Sequence, residues 1–150
     1  MKTRFQTLTL FLLGLLLGGG CHWQKLPADL PKLYPCKITI KDKDGNPLPM
    51  VLVSVNSEDT SFRWGGSGET NASGVATILT AGQYRGLAQG KYRVTLLHFE
   101  YIKTGQIADS GVEITDMRSL MPEEYTDSAK TPFHFEMEAK ATSVTFQLEK

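Results

Sequence analysis

Histidine is the side chain best suited to acid–base and metal chemistry in this chain, and its spacing favours neither. His22 lies near the start, His98 ends an apolar segment, and His134 sits between two phenylalanines, where it should face water. No His-x-His, His-x-x-x-His or Cys-x-x-Cys spacing is present, so the ligand pattern of a zinc site is missing. The Gly-x-Ser-x-Gly nucleophile motif is missing as well. These residues predict a protein that is not an enzyme and that holds no metal or cofactor.

Two other polar groups have simple structural explanations. Ser67 lies in a Gly-Ser-Gly sequence that is better explained as a flexible turn, and the Lys and Ser/Thr of a phosphate-binding loop do not follow it. Asp42, Asp44 and Asn46 could contribute oxygens to calcium. Calcium takes about six to eight oxygens, so three residues of one turn are better explained as a cap.

A short aromatic segment is the best candidate for a binding surface. Phe62, Arg63 and Trp64 are consecutive within the polar, glycine-rich stretch 57–73, and Trp, Tyr and Arg are the residues that most often anchor protein contacts. We expect Phe62, Arg63 and Trp64 to contact a partner if they are exposed. The alternative is that Phe62 or Trp64 packs into the edge of the fold.

The first 20 residues have the pattern of a secretory signal peptide. Lys2 and Arg4 give a positive start, residues 8–17 are almost wholly apolar, and three glycines precede Cys21. A charged start, an apolar run of about ten residues and a small-residue exit define such a signal. The run is shorter than the ~20 residues of a membrane span. We therefore expect export of the chain, with an uncleaved N-terminal anchor helix as the alternative.

Cys21 is the predicted lipid-attachment residue. The segment LLLGGGC resembles a bacterial lipobox, in which a cysteine is acylated and becomes the first residue after cleavage. Gly19 and Gly20 suit the two preceding sites, whereas Gly18 replaces the usual aliphatic residue. Acyl chains contribute about 0.8 kcal/mol per buried CH₂, enough to hold the protein on a membrane. The alternative is ordinary cleavage, with Cys21 as a thiol that could pair with Cys36.

Residues 21–35 are predicted to be a proline-rich tether. Three prolines in this stretch favour extended chain over helix. Without Lys2 and Arg4, the 16 basic residues of the chain fall to 14, against 16 acidic ones. No basic stripe is present, so we expect no nucleic-acid partner. The protein should be extracytoplasmic and membrane-anchored, facing the periplasm or the cell surface.

Residues 36–150 are predicted to be one domain built from β-strands. Apolar and polar residues alternate with a period of two, which indicates half-buried strands, and turn sequences such as Asp44-Gly45-Asn46-Pro47 separate them. Residues 100–121 lack clean periodicity and are expected to form a long irregular segment. With about seven short strands and no long amphipathic segment, the chain is predicted to be an all-β, antiparallel seven-stranded β-sandwich.

Four segments give this domain a resemblance to the carboxypeptidase regulatory-like domain, one of the transthyretin-like β-sandwiches. They are DGNPLPMVLVSV, GETNASGVATI, GLAQGKYRVTL, and the closing MPEEYTDSAKTPFHFEME with VTFQLEK. The first resembles the family's Asp-Gly-x-Pro-Leu turn and valine strand. The second resembles its Gly-x-Thr-Asp-x-x-Gly hairpin, with Asn71 in place of Asp, and the third its Gly-x-Tyr-x-Val strand entry. The closing segment is similar to small lipoproteins of Planctomycetes-like bacteria.

The resemblance implies a transthyretin-like fold in an extracytoplasmic setting, and it implies no reaction, because this fold carries many functions. The related hydroxyisourate hydrolases end in Tyr-Arg-Gly-Ser, whereas here Tyr84-Arg85-Gly86 is internal. Intradiol dioxygenases hold iron with two Tyr and two His, the histidines one residue apart, whereas His98 and His134 are 36 positions apart.

We therefore expect a non-catalytic, lipid-anchored β-sandwich protein with a structural or adhesive role at the cell envelope. Its partners would be the membrane, through the lipid on Cys21, and an envelope protein or glycan. A secreted module that binds a small ligand or glycan without a lipid anchor is the alternative. A transthyretin-fold hydrolase is the least favoured possibility.

Overall fold

The computed structural model describes residues 27–149, and one compact unit runs from Pro31 to Lys150. The leader, Cys21 and the first part of the tether lie outside the described residues. The elements are, in chain order, β1 (Cys36–Lys41), β2 (Leu52–Ser57), β3 (Gly66–Glu69), β4 (Val75–Thr77), β5 (Leu79–Thr80), β6 (Tyr84–Arg85), β7 (Gly90–Leu97), β8 (Phe99–Ile107), β9 (Glu113–Ser119), α1 (Glu123–Thr126), β10 (His134–Met137) and β11 (Thr142–Gln147).

The fold is all-β with mainly antiparallel sheets, as the sequence predicted. A six-stranded sheet has the order β10-β7-β2-β3-β5-β6, and a three-stranded sheet has the order β11-β1-β4. In the smaller sheet β1 runs antiparallel to β4 and parallel to β11, so that Ile38 lies opposite Val144. β8 and β9 form a separate two-stranded sheet. The described part of the chain holds eleven strands rather than about seven, because glycine-rich and non-periodic stretches also pair.

Both larger sheets contribute side chains to one buried core. Successive side chains of a strand point to opposite faces, so the alternating apolar residues of β1, β2 and β7 all lie on the buried side. The core consists of Cys36, Ile38, Ile40, Val51, Val53, Val55, Ala76, Ile78, Leu87, Tyr92, Val94, Leu96, Met121, Tyr125, Phe133, Met137, Phe146 and Leu148. Stacked rings extend it at one end, where the centroid of Phe133 lies 4.7 Å from that of Phe146 and 5.2 Å from that of Tyr125.

Buried hydroxyl groups satisfy backbone atoms where strands end. Thr70 Oγ1 accepts a hydrogen bond from the Val51 backbone N–H at 2.9 Å and donates one to the Leu48 carbonyl oxygen at 2.7 Å. Thr131 Oγ1 donates to the Val94 carbonyl oxygen at 2.6 Å. Among residues 27–149, every buried side-chain nitrogen and oxygen has a hydrogen-bond partner, as a stable interior requires.

Glycine allows two close approaches that a larger residue would block. At Gly66, in β3, a Cβ atom would lie 2.6 Å from Ile78 Cγ2, so the Gly-Ser-Gly sequence is part of a packed strand and not the flexible turn expected. Gly86 has φ +103°, and a Cβ there would lie 2.2 Å from the Tyr34 carbonyl oxygen. Tyr34 and Leu87 pair through two backbone hydrogen bonds of 2.8 and 3.0 Å. Gly86 therefore permits this pairing.

Helix is confined to α1 in the part of the chain that the structure describes, and α1 has four residues. No helix between residues 27 and 149 is long and apolar enough to cross a membrane.

Candidate functional site

The aromatic segment predicted as a binding surface lies in the loop between β2 and β3. Phe62 and Trp64 are half-buried and Arg63 is exposed. The guanidinium carbon of Arg63 lies 4.7 Å from the centroid of the Trp64 ring, a cation–π contact that contributes about 0.5–1 kcal/mol at exposed sites. Arg63 therefore covers part of the Trp64 indole. The role of the three residues in binding stays a prediction.

Asp59 orders the start of this loop. Its Oδ1 atom accepts hydrogen bonds from the Ser61 backbone N–H at 2.9 Å and the Ser61 hydroxyl at 2.6 Å. The hydrogen bond from the Ser61 side chain is the main cause that lowers the pKa of the Asp59 carboxyl group, and the backbone hydrogen bond adds to it. The local turn thus fixes the chain immediately before Phe62.

A shallow groove of about 380 Å³ follows the loop and is open to solvent. It is lined by Ser54, Val55, Asn56, Gly65, Gly66, Ser67, Ala81 and Gly82. Its volume is at the lower end of the range of small-molecule sites, which are about 300–1,000 Å³. Small side chains and backbone atoms form the walls, so the groove offers polar and apolar surface in about equal measure.

Glu58, Arg93 and His134 form a polar cluster on the six-stranded sheet. The sheet register places His134 of β10 opposite Arg93 of β7. His134 Nδ1 lies 2.7 Å from Glu58 Oε1, and its Nε2 lies 3.1 Å from the Thr131 carbonyl oxygen. Arg93 Nε lies 3.6 Å from the same Glu58 oxygen. Both imidazole nitrogens face protein oxygens, so the ring links β10 to Glu58 and to the backbone at Thr131.

The pKa of the Glu58 carboxyl group is lowered, first by the hydrogen bond from His134 and then by the charges of His134 and Arg93. His98 does not join this cluster. It lies five residues beyond Arg93, a distance of about 17 Å along a strand at ~3.3 Å per residue. Residues 27–149 contain no group of three or more His, Cys, Asp and Glu side chains that could hold a metal ion.

The acidic turn considered for calcium is occupied by its own hydrogen bonds. Asp42 Oδ1 accepts the backbone N–H groups of Asp44 at 2.9 Å and of Asn46 at 2.8 Å, and Oδ2 accepts the Asn46 side-chain amide at 3.0 Å. The Asn46 side-chain hydrogen bond is the first cause of the lowered pKa of Asp42. The carboxylate thus acts as a turn cap.

The structure describes one of the two cysteines, Cys36, and does not describe Cys21. Cys36 is a free thiol, 1% exposed, in the core, and burial raises its pKa to about 11. Such a thiol behaves as a small apolar side chain. Cys21, the predicted lipid site, lies outside the described residues, so its attachment stays a prediction.

Between residues 27 and 149, most of the exposed large apolar side chains lie on or next to the β8–β9 hairpin, where the sequence predicted an irregular segment. All residues of β8 and β9 are exposed. The large apolar side chains on or next to the hairpin, with their exposed fractions, are Phe99 (37%), Tyr101 (71%), Ile102 (40%), Ile107 (71%), Val112 (65%), Ile114 (42%), Met117 (54%) and Leu120 (43%). Exposed apolar side chains gathered on one element mark a candidate interaction site.

A sequence signal for this hairpin exists at its tip. Ala108 pairs with Val112 through a hydrogen bond from the Ala108 N–H at 2.9 Å, and the Gly111 N–H donates to the Ala108 carbonyl oxygen at 2.8 Å. Gly111 has φ +81°. A three-residue hairpin loop needs a glycine in this conformation, and Asp109-Ser110-Gly111 supplies it. The sequence pattern did not predict β8 and β9, because neither face of the hairpin is buried and the strands therefore lack apolar alternation.

Comparison with known proteins gives little beyond the fold class. No protein-family profile and no curated protein matches the chain. A 9R-lipoxygenase from Cyanothece is similar to 83% of this chain and 18% of its own, with 10% identity and a TM-score of 0.43. BcpA, the major pilin subunit of Bacillus cereus, is similar to 79% of this chain and 30% of its own, with 10% identity and a TM-score of 0.41. The chain spans less than a third of either protein.

Proposed function

We propose that this protein is a non-catalytic binding protein of the bacterial cell envelope, held on a membrane by a lipid on Cys21. Its domain would be a seven-stranded sandwich of the carboxypeptidase regulatory-like type with additional short strands and an inserted hairpin. Three of the four segments described above support this proposal, since DGNPLP, TNASG and GKYRV lie at turns and strand entries.

The exposed β8–β9 hairpin is the observation that carries the binding role. It projects 21 residues, Phe99 to Ser119, as a ribbon whose two strands are exposed throughout. An isolated two-stranded ribbon is at best marginally stable in water, and this one exposes aromatic and aliphatic side chains. A partner that covers these side chains would stabilise the ribbon and remove apolar area from water, at about 25 cal/mol per Å².

The lipid anchor is supported by the leader and by Cys21. A positive start, an apolar run and small residues before Cys21 fit export followed by acylation. Several acyl chains give stable attachment, whereas a single chain gives only reversible binding.

The test is metabolic labelling with an alkyne fatty acid in a bacterial host that expresses the full chain. Wild-type protein should carry the label and sediment with membranes, and Cys21→Ser should lose the label. Cys36→Ser is the matched control and should keep the label, because Cys36 is buried. Unlabelled wild-type protein in the soluble fraction would contradict the anchor.

A secreted glycan-binding module is the second candidate, and the groove beside Trp64 favours it. Gly65 of the groove wall follows Trp64 directly, and aromatic rings next to hydrogen-bonding walls suit sugars. Trp64→Ala should then weaken binding on a glycan array, whereas Tyr101→Ala should leave it unchanged. The opposite order would favour the hairpin.

A further inference from the structure

We propose that one face of the β8–β9 hairpin is a self-association surface that binds the same face of a second copy of this chain. The tyrosine face consists of Phe99, Tyr101, Ile107 and Met117 with the Lys103–Glu113 ion pair. Cross-strand partners share a face of a sheet, and the register pairs Tyr101 with Met117 and Ile107 with Glu113. The opposite face, the isoleucine face, carries Ile102, Ile114 and Asp116 with the Glu100–Arg118 ion pair.

The edges of the hairpin are poorly suited to adding another strand. Opposite residues of an antiparallel pair alternate between bonded and non-bonded positions, and the Leu120 N–H donates to the His98 carbonyl oxygen at 2.8 Å. The Met117 N–H therefore points to the outer edge of β9. There it donates to the carboxylate of Asp116 at 2.8 Å, so this edge donor is already used.

The outer edge of β8 is interrupted by a bulge. The register shifts between Lys103 and Ile107, and Gly105 has φ +72°. The Thr104 hydroxyl fixes the bulge by donating to the Ile114 carbonyl oxygen at 2.6 Å. Bulges and edge charges are devices that prevent edge-to-edge pairing. A second chain is therefore expected to contact a face of the hairpin and not the outer edge of β8 or β9.

Charge favours a second copy on the tyrosine face. Lys103 Nζ lies 2.8 Å from Glu113 Oε2, so the face carries one positive and one negative group and no net charge. Two such faces can stack without repulsion. An anionic membrane surface attracts an excess of Lys and Arg, which this face lacks. The isoleucine face carries Asp116 beyond its Glu100–Arg118 pair, so two copies of that face would repel.

The apolar area is in the range of a weak dimer. Large side chains have about 150–250 Å² of surface, so the exposed fractions of Phe99, Tyr101, Ile107 and Met117 correspond to roughly 350–580 Å². Two copies would bury about 700–1,150 Å² of this surface, which is the size of weak, transient interfaces. If the proposed lipid anchor holds both copies on one membrane, tethering raises their effective concentration. The contact itself does not require the anchor.

Site-specific photo-cross-linking in the full chain tests the proposal directly. Benzoylphenylalanine at position 101 replaces one aromatic residue by another, and the same group at position 102 is the matched control on the opposite face. We expect a light-dependent product of twice the mass, made of this chain alone, at least fivefold stronger from 101. Equal yields, or a main product with lipid or another protein, would overturn the proposal.

Sedimentation equilibrium of the chain with Cys21→Ser, which removes any lipid, gives a second readout. Adding Tyr101→Lys should raise the dimer dissociation constant at least tenfold, and adding Ile102→Lys should change it less than threefold. Urea unfolding checks that both variants fold. The reference chain carries Cys21→Ser and neither lysine substitution. If this chain stays monomeric at about 1 mM, a concentration that detects weak association, the self-association proposal is contradicted. This outcome does not depend on whether Cys21 carries lipid in the native protein.

Discussion

Tight backbone contacts at single residues hold the ends of several strands. Gly86 permits the backbone pairing of Tyr34 with Leu87. The Thr70 hydroxyl accepts a hydrogen bond from the Val51 N–H and donates one to the Leu48 carbonyl oxygen. A buried hydrogen-bonding group that loses its partner costs about 1–3 kcal/mol. These few positions therefore matter more for stability than the many exposed ion pairs.

Gly86→Ala should destabilise the domain strongly. The new Cβ would lie 2.2 Å from the Tyr34 carbonyl oxygen, and overpacking costs about 1–3 kcal/mol, in addition to about 1–2 kcal/mol for a left-handed backbone. Urea unfolding should show a loss of roughly 3 kcal/mol. Gly82→Ala is the control, since Gly82 has φ +72° with no atom within 4 Å of its Cβ position. It should lose only the backbone contribution, and equal losses would contradict this explanation.

The Glu58–His134 contact should make stability depend on acid pH. The folded-state pKa of Glu58 lies below its ordinary value of 4.5, mainly because of the His134 hydrogen bond. A lowered carboxyl pKa contributes stability above the unfolded value, and this stability is lost as pH falls through the folded value. The urea midpoint of Glu58→Gln should therefore fall less steeply than that of wild type as pH drops below 4.5.

Glu136→Gln is the matched control for this pH series, because Glu136 is an exposed residue of β10 next to the cluster. It should follow the wild-type curve. Parallel curves for wild type and Glu58→Gln would show that His134 does not hold the Glu58 carboxylate.

At the scale of elements, the β8–β9 hairpin is separable from the core. None of its residues belongs to the buried cluster, and its base is closed by the hydrogen bond between Leu120 and His98. Both strands therefore contribute no residue to the buried cluster that stabilises the domain.

Replacing residues 99–119 by Asn-Gly should leave the domain folded. The two residues suit a tight hairpin turn between His98 and Leu120, and the free energy of unfolding should change by less than about 1 kcal/mol, because no buried surface is lost. Met137→Ala, in the core, should cost about 2–5 kcal/mol in the same assay. A hairpin deletion as damaging as Met137→Ala would mean that the ribbon stabilises the body.

The strands predictable from sequence are those that bury one face. β1, β2, β7, β10 and β11 show apolar alternation because the core accepts every second side chain. β3 lacks it because Gly66 and Gly68 carry no side chain, and β8 and β9 lack it because both faces are exposed. The parallel pairing of β1 with β11 brings together segments about a hundred residues apart, which local alternation does not encode.

For the candidate sites, the sequence identifies groups of adjacent residues and does not identify groups that the fold brings together. Phe62, Arg63 and Trp64 are adjacent in sequence and were found by composition. Glu58 and His134 are separated by 76 positions, and only the order of strands brings them together. The tyrosine face required the register of β8 and β9.

At the scale of the whole molecule, we propose that an anchor, a tether and a binding domain follow one another along the chain. The described part of the domain is all-β, and most of its exposed large apolar side chains lie on or next to the hairpin. Such a surface on a membrane-held domain would suit assembly with partners on the same envelope. In the proposed arrangement, the location of the domain depends on lipid attachment to Cys21.

Intact-mass spectrometry of the mature protein, purified from the membranes of a bacterial host, tests this dependence most directly. We expect a chain that begins at Cys21, lacks residues 1–20 and carries the additional mass of a diacylglyceryl group, with or without a further acyl chain. A mature chain that begins at another residue, or one that begins at Cys21 with a free thiol, would contradict the proposed anchor.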